Sequence, residues 1–126
     1  IELAQELYPK YNFEQIKDEK INLPDKSQDY IFICGVLHHI SDEIVNKYIK
    51  EFKRILKPKG SILIFEPAEF PEWEISSKLM ILLDEGKYIR KEKEYFDLFK
   101  DFKVKEHNKF RIIYFYRTLF FSGTKD

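Results

Sequence analysis

Two short apolar runs, Tyr30-Ile31-Phe32-Ile33-Cys34 and Ser61-Ile62-Leu63-Ile64-Phe65, constrain this chain most, because a single amphipathic segment joins them. Such nearly continuous β-prone runs are what parallel strands covered on both faces require. Between them, Ser41 stands where it can cap the first free N–H groups of a helix. Asp42 and Glu43 follow and complement the positive end of the helix dipole. Apolar residues at 44, 45, 48, 49, 52, 55 and 56 form one stripe, which leaves Lys47, Lys50, Glu51, Lys53 and Arg54 toward water. Pro58 and Gly60 end the helix and turn the chain, with Gly60 expected to supply a positive φ. The spacing of strand, helix and strand predicts a right-handed crossover in a parallel sheet.

Outside this unit the signals are shorter. Apolar residues at 1, 3, 4, 7 and 8 predict a helix that Pro9 stops. Phe13-Glu14-Gln15-Ile16 is a short strand candidate, and residues 22–27 form a loop rich in turn formers. Helices are expected over Ser76–Leu83 and Glu92–Phe99, and strands around Val104 and over Leu119–Ser122. Tyr114-Phe115-Tyr116 fits strand or loop. With no internal repeat and no composition break, residues 1–126 read as one domain.

Composition excludes several function classes. At 126 residues the chain can hold one core, and 12 Phe, 8 Tyr and a 44% apolar fraction argue for a folded protein. The 22 basic groups balance 22 acidic ones, so no global field favours nucleic acid or an anionic membrane. Residues 100–126 are locally basic, which a solvated rim explains best. Cys34 is the only cysteine, so neither an intrachain disulfide nor a thiolate metal cluster is available. The three histidines lack metal-ligand spacing. No apolar run reaches the length that crosses a bilayer, and a reducing, cytoplasmic setting is expected.

Taken in order, the strand ending Cys34-Gly35, the His38-His39 loop, the capped helix and the Leu56-Lys57-Pro58-Lys59-Gly60 turn resemble the middle of a class I S-adenosylmethionine-dependent methyltransferase. Phe13–Asp18 followed by Leu23-Pro24 resembles that family's third strand and the loop after it. The resemblance is strong over residues 13–67 and looser afterward. It implies an α/β fold: a partial Rossmann-like sheet, mostly parallel, with an antiparallel last strand and without the first two strands. In a whole domain the strand order would be 3-2-1-4-5-7-6. The glycine-rich loop of the family would lie upstream, since glycines at 35, 60, 86 and 123 are too far apart to form it.

By the same resemblance, Asp18 would accept from the adenine amino group of S-adenosylmethionine, with Glu19 contributing backbone. Cys34 and Gly35 would meet the methionine part of the cofactor. Open parallel sheets bind ligands at the carboxyl ends of their strands, in accord with that placement. Cys34 reads as a small buried filler and not a nucleophile, because transfer from a sulfonium needs no enzyme thiol. His39 has two readings, a base for the acceptor and, favoured here, a residue that orders its loop. Glu66 has two readings, a residue lining the pocket mouth and, favoured here, a solvated acid. Phe70, Trp73, Tyr88, Tyr114 and Tyr116 could wall the acceptor side, though ordinary packing explains aromatics as well.

The implied function is methyl transfer to a small-molecule acceptor, with this length of chain weak or inactive alone. The alternative is a non-enzymatic interaction module on a truncated fold. If Tyr30–Cys34 forms a sheet edge, its unpaired backbone is a template for a homodimer.

Overall fold

A computed structural model describes residues 1–69, 87–112 and 116–125, with backbone alone at 110–112 and 116–117. A short helix α1 (Glu2–Leu7) opens the chain. Strand β1 (Gln28–Cys34) leads through a 3₁₀ turn (Leu37–His39) into helix α2 (Asp42–Ile55), which runs directly into strand β2 (Leu56–Glu69). The two-residue β3 (Arg90–Lys91) precedes helix α3 (Glu92–Leu98). Strands β4 (Lys103–Ile112) and β5 (Tyr116–Thr124) complete the order.

The sheet is mixed. β1 and β2 are parallel, with Tyr30 opposite Ser61 and Cys34 opposite Phe65, as the two apolar runs require. β5 lies antiparallel on the other side of β2, and β4 antiparallel to β5, giving the order β1-β2-β5-β4. β3 pairs with the end of β2. The antiparallel last strand is therefore present, and the short segments expected near Val104 and Leu119 belong to much longer strands.

The ladder sets Ile33, Ile64 and Phe121 side by side on one face. Val45, Ile49 and Phe52 of α2 cover that face together with Tyr95, Phe99 and Phe102. Each large apolar side chain buried here contributes about 1.5–3 kcal/mol. Phe121 meets the rings of Phe96 and Phe99 edge-on at 5.3 and 5.6 Å between centroids.

The structure departs from the sequence expectations at definite places. β1 is covered on one face only: Ile33 is buried, whereas Tyr30 and Phe32 are 71% and 65% exposed. Among the described residues no second strand pairs with it, so β1 is an edge. Phe13–Ile16 is not a strand; Ile16 is exposed, so extension would bury little apolar surface. The stripe of α1 is real but no residue of that helix is buried. Ser41 occupies the N-cap position, yet its side chain makes no capping hydrogen bond. Pro58 and Gly60 do not end the helix, which stops at Ile55; they fall inside β2, where residues 57–60 interrupt the register with β1, and the positive φ (64°) there belongs to Lys59, not Gly60. Gly60 is needed for space instead, because a Cβ there would stand 2.9 Å from both Leu56 Cδ2 and the Lys57 carbonyl oxygen. The expected helix over 76–83 and the aromatics Phe70, Trp73 and Tyr114 lie outside the described residues.

Candidate functional site

The carboxyl ends of β1 and β2 meet at Gly35. Its φ of 64° is left-handed, a conformation that costs glycine little and other residues more. Its N–H donates to the Phe65 carbonyl at 3.0 Å, which extends the β1–β2 ladder by one residue. A Cβ added there would meet only His38 Cε1, at 3.9 Å, so the space over this residue is open.

Beneath the turn sits Glu66, fully buried. On β2 the side chains of Ile62, Ile64, Glu66 and Ala68 all point inward, so Glu66 occupies a core position in the strand's two-residue period. Its Oε1 accepts from the N–H groups of Val36 (2.7 Å) and Leu37 (3.0 Å). Its Oε2 accepts from the His38 N–H (3.4 Å) and from His38 Nδ1 (2.8 Å). A carboxylate only accepts, which puts the shared proton on Nδ1. The reading of Glu66 as a solvated acid is thus corrected. The usable signal was its phase with Ile62 and Ile64.

Arg90 holds the same loop by its carbonyls. It is buried, and its guanidinium donates to Leu37 O and Ile40 O, both at 2.7 Å, and to Asp42 Oδ1 at 2.7 Å. Buried charge needs such partners. Next to it the Tyr88 N–H donates to His38 O at 2.9 Å. The Tyr95 hydroxyl donates to Pro67 O at 2.9 Å, and burial first, with the Glu66 charge second, pushes its phenol well above the ordinary range.

The other expected site residues separate into places. Asp18 and Glu19 are the central pair of a tight Lys17–Lys20 turn, with φ of 55° and 52° and the Lys20 N–H bonded to Lys17 O at 3.2 Å. Asp18 lines a pocket of about 860 Å³ with Lys17, Asn22 and Arg54. Cys34 lines a groove of about 610 Å³ along β1. Ile21 and Leu23 belong to both cavities, so the two adjoin. Cys34 is exposed, which corrects its reading as a buried filler. Glu19 turns toward Lys47, 3.7 Å away. His39 is exposed, its ring 3.9 Å from that of His38. Loop ordering by a histidine is seen, but the residue bonded to Glu66 is His38.

Two residues assigned to the water face hold the loop beside Asp18. Arg54 donates to the carbonyls of Ile21 and Leu23 (both 2.8 Å), to Asp25 (2.7 Å) and to Glu51. Glu51 Oε2 accepts from the Ile21 N–H at 3.0 Å. The Arg54 hydrogen bonds, then that N–H, hold the Glu51 carboxyl down to about 2.

A protein-family model described as "Methyltransferase domain" matches residues 1–64. No curated protein sequence matches the chain. Solved structures do. A SAM-dependent methyltransferase from Methanosarcina mazei superimposes with a TM-score of 0.73 at 17% identity, over 90% of this chain and 66% of that one. A SAM-dependent methyltransferase from Aquifex aeolicus gives 0.72 at 20% identity, over 99% of this chain and 61% of that one. The 1,6-didemethyltoxoflavin-N1-methyltransferase of Burkholderia thailandensis gives 0.71 at 16% identity, over 98% and 55%. At these identities the likeness is one of fold, and the chain spans less than two thirds of each of these three.

Proposed function

The chain belongs to the methyltransferase-domain family, and on that premise we propose that it serves methyl transfer from S-adenosylmethionine to a small-molecule acceptor. The observation that carries the proposal is Gly35, left-handed and open at the strand end where α/β sheets bind ligands. Cys34 and Gly35 fit the methionine part of the cofactor there, and no Cβ intrudes. Asp18, whose carboxylate has no partner among the described residues, fits an amino group of the base in the adjoining pocket, with the Glu19 backbone beside it. The bound cofactor supplies an activated methyl group. The protein's part is alignment, which sets the rate of an in-line transfer. In this reading His39, exposed on the same loop, is the candidate base for a hydroxyl or ammonium acceptor. A small-molecule acceptor accords with the Burkholderia relative, whose structure holds 1,6-didemethyltoxoflavin and S-adenosylhomocysteine. A free, exposed Cys34 suits a reducing, cytoplasmic compartment.

Residues 1–126 alone should bind the cofactor weakly, since few polar groups line the β1 groove. Calorimetric titration of S-adenosylhomocysteine into the natural full-length protein should show saturable binding, weakened at least tenfold by Gly35→Val in a variant that remains folded. No saturable binding by the wild type overturns the enzyme reading. Tight binding by residues 1–126 alone overturns the expected weakness. The second reading, an interaction module, is favoured by one observation, the apolar edge of β1, which has no strand partner on one side among the described residues.

A further inference from the structure

We infer that Glu66 is a positioning residue for the ligand-facing turn at Gly35, acting through His38 and the N–H groups of residues 36–38; the inference rests on the reading of Gly35 given above.

A fully buried carboxylate must find compensation. Among the described residues Glu66 has no Lys or Arg partner. Its compensation comes from the N–H groups of Val36, Leu37 and His38 and from the His38 ring, all on one loop. The neighbouring cation, Arg90, is turned to the other side of the same loop, where it takes the carbonyls of Leu37 and Ile40. Donors of the loop thus face Glu66 and its acceptors face Arg90.

An anchor of this kind fixes more than the fold needs. An apolar residue in phase with Ile62 and Ile64 would fill the core equally well, but would leave three N–H groups without acceptors, those of Leu37 and His38 buried and that of Val36 partly so. The clamp ends at Gly35, where the backbone is left-handed and the His38 ring edge forms the floor. Sparsely populated backbone conformations persist where the surroundings over-determine them. The exposed His39 ring rests on His38, so its position depends on the same carboxylate.

The test uses the full-length protein, Glu66→Gln, and two measurements. A glutamine keeps the volume but turns an amide NH₂ toward donors. Hydrogen exchange at the amides of Gly35, Val36 and Leu37 should accelerate at least tenfold, with those of Leu119 and Phe121 in β5 unchanged. The dissociation constant for S-adenosylhomocysteine, read by calorimetry, should rise at least tenfold. Unchanged exchange at 35–37 overturns the inference. Accelerated exchange with dissociation constant unchanged overturns it too, since Glu66 would then be structural only. A wild type that binds no S-adenosylhomocysteine refutes the proposed function alone, and the exchange measurement then decides whether Glu66 positions the turn. If Glu66→Gln does not fold, His38→Gln carries both measurements. It takes away the imidazole that meets Glu66 and His39 but leaves the backbone N–H groups of residues 36–38 on the carboxylate, so both effects should be smaller and in the same direction; no effect in either overturns the inference.

Discussion

Glu51 and Arg54 show how far one side chain can act from its place in the sequence. They sit on α2, yet their hydrogen bonds end on residues 21–25 and fix the loop between the Asp18 pocket and the β1 groove. Glu51→Gln should destabilise the fold by about 1 kcal/mol at neutral pH, the upper end for an ion pair that water still reaches. The pH dependence has a definite sign. The folded carboxyl is depressed from 4.5 to about 2, so its contribution is complete above 4.5 and is lost as pH falls toward 2. Urea unfolding of wild type and variant should therefore differ at pH 7 and converge near pH 2; a gap of equal size at both would refute the assignment. Helical periodicity alone could not reveal these partners. It reports which face a residue occupies and says nothing about a loop 30 positions away. The same limit hid Arg90, whose partners lie near residues 37–42. Glu66 was more accessible, because strand phase marked it as inward while its charge suggested solvent.

The strand–helix–strand unit was readable because its β-prone runs and the continuous apolar stripe on α2 agree, although the helix stops at Ile55 and Pro58 and Gly60 fall inside β2. What periodicity missed was the detail of the turn, where sterics decide. Lys59 takes the left-handed position and Gly60 the crowded one. Lys59→Gly should then stabilise the fold by up to about 1 kcal/mol by relieving that conformation. Gly60→Ala should cost about 1–3 kcal/mol, because its methyl would meet backbone oxygen that cannot move aside. Thermal unfolding of the two variants should shift in opposite directions; equal shifts would mean that both positions are simple turn residues. The short elements failed for a different reason. A four-residue candidate such as Phe13–Ile16 becomes a strand only if a neighbour rewards it, and periodicity carries no information about neighbours. The lengths of β4 and β5 likewise follow from their mutual pairing over Lys103–Thr124 and Ile112–Tyr116.

At the scale of the molecule the unresolved demand is the edge of β1. Its outward residues Tyr30 and Phe32 are exposed, and one side of its backbone has no strand partner among the described residues. Natural edges are blunted by lysine, proline or a bulge. Residues 30–34 contain no lysine or proline, and their register with β2 is regular. Phe13–Ile16, which could have filled the vacancy, does not pair there. The formal net charge is zero, so no long-range repulsion opposes association. We predict that residues 1–126 alone form a symmetric dimer through antiparallel β1 edges. A two-fold axis at Phe32 would set Phe32 against its copy, Ile31 against Ile33 and Tyr30 against Cys34. That register extends the sheet without a buried charge in the contact. Sedimentation at low micromolar concentration should show the dimer, and Phe32→Lys should give monomer by placing two ammonium groups at the axis. In a Cys34→Ser background, Phe32→Cys should cross-link to itself under mild oxidation. A wild type that sediments only as monomer would refute the dimer, and a dimer that Phe32→Lys leaves intact would place its interface elsewhere.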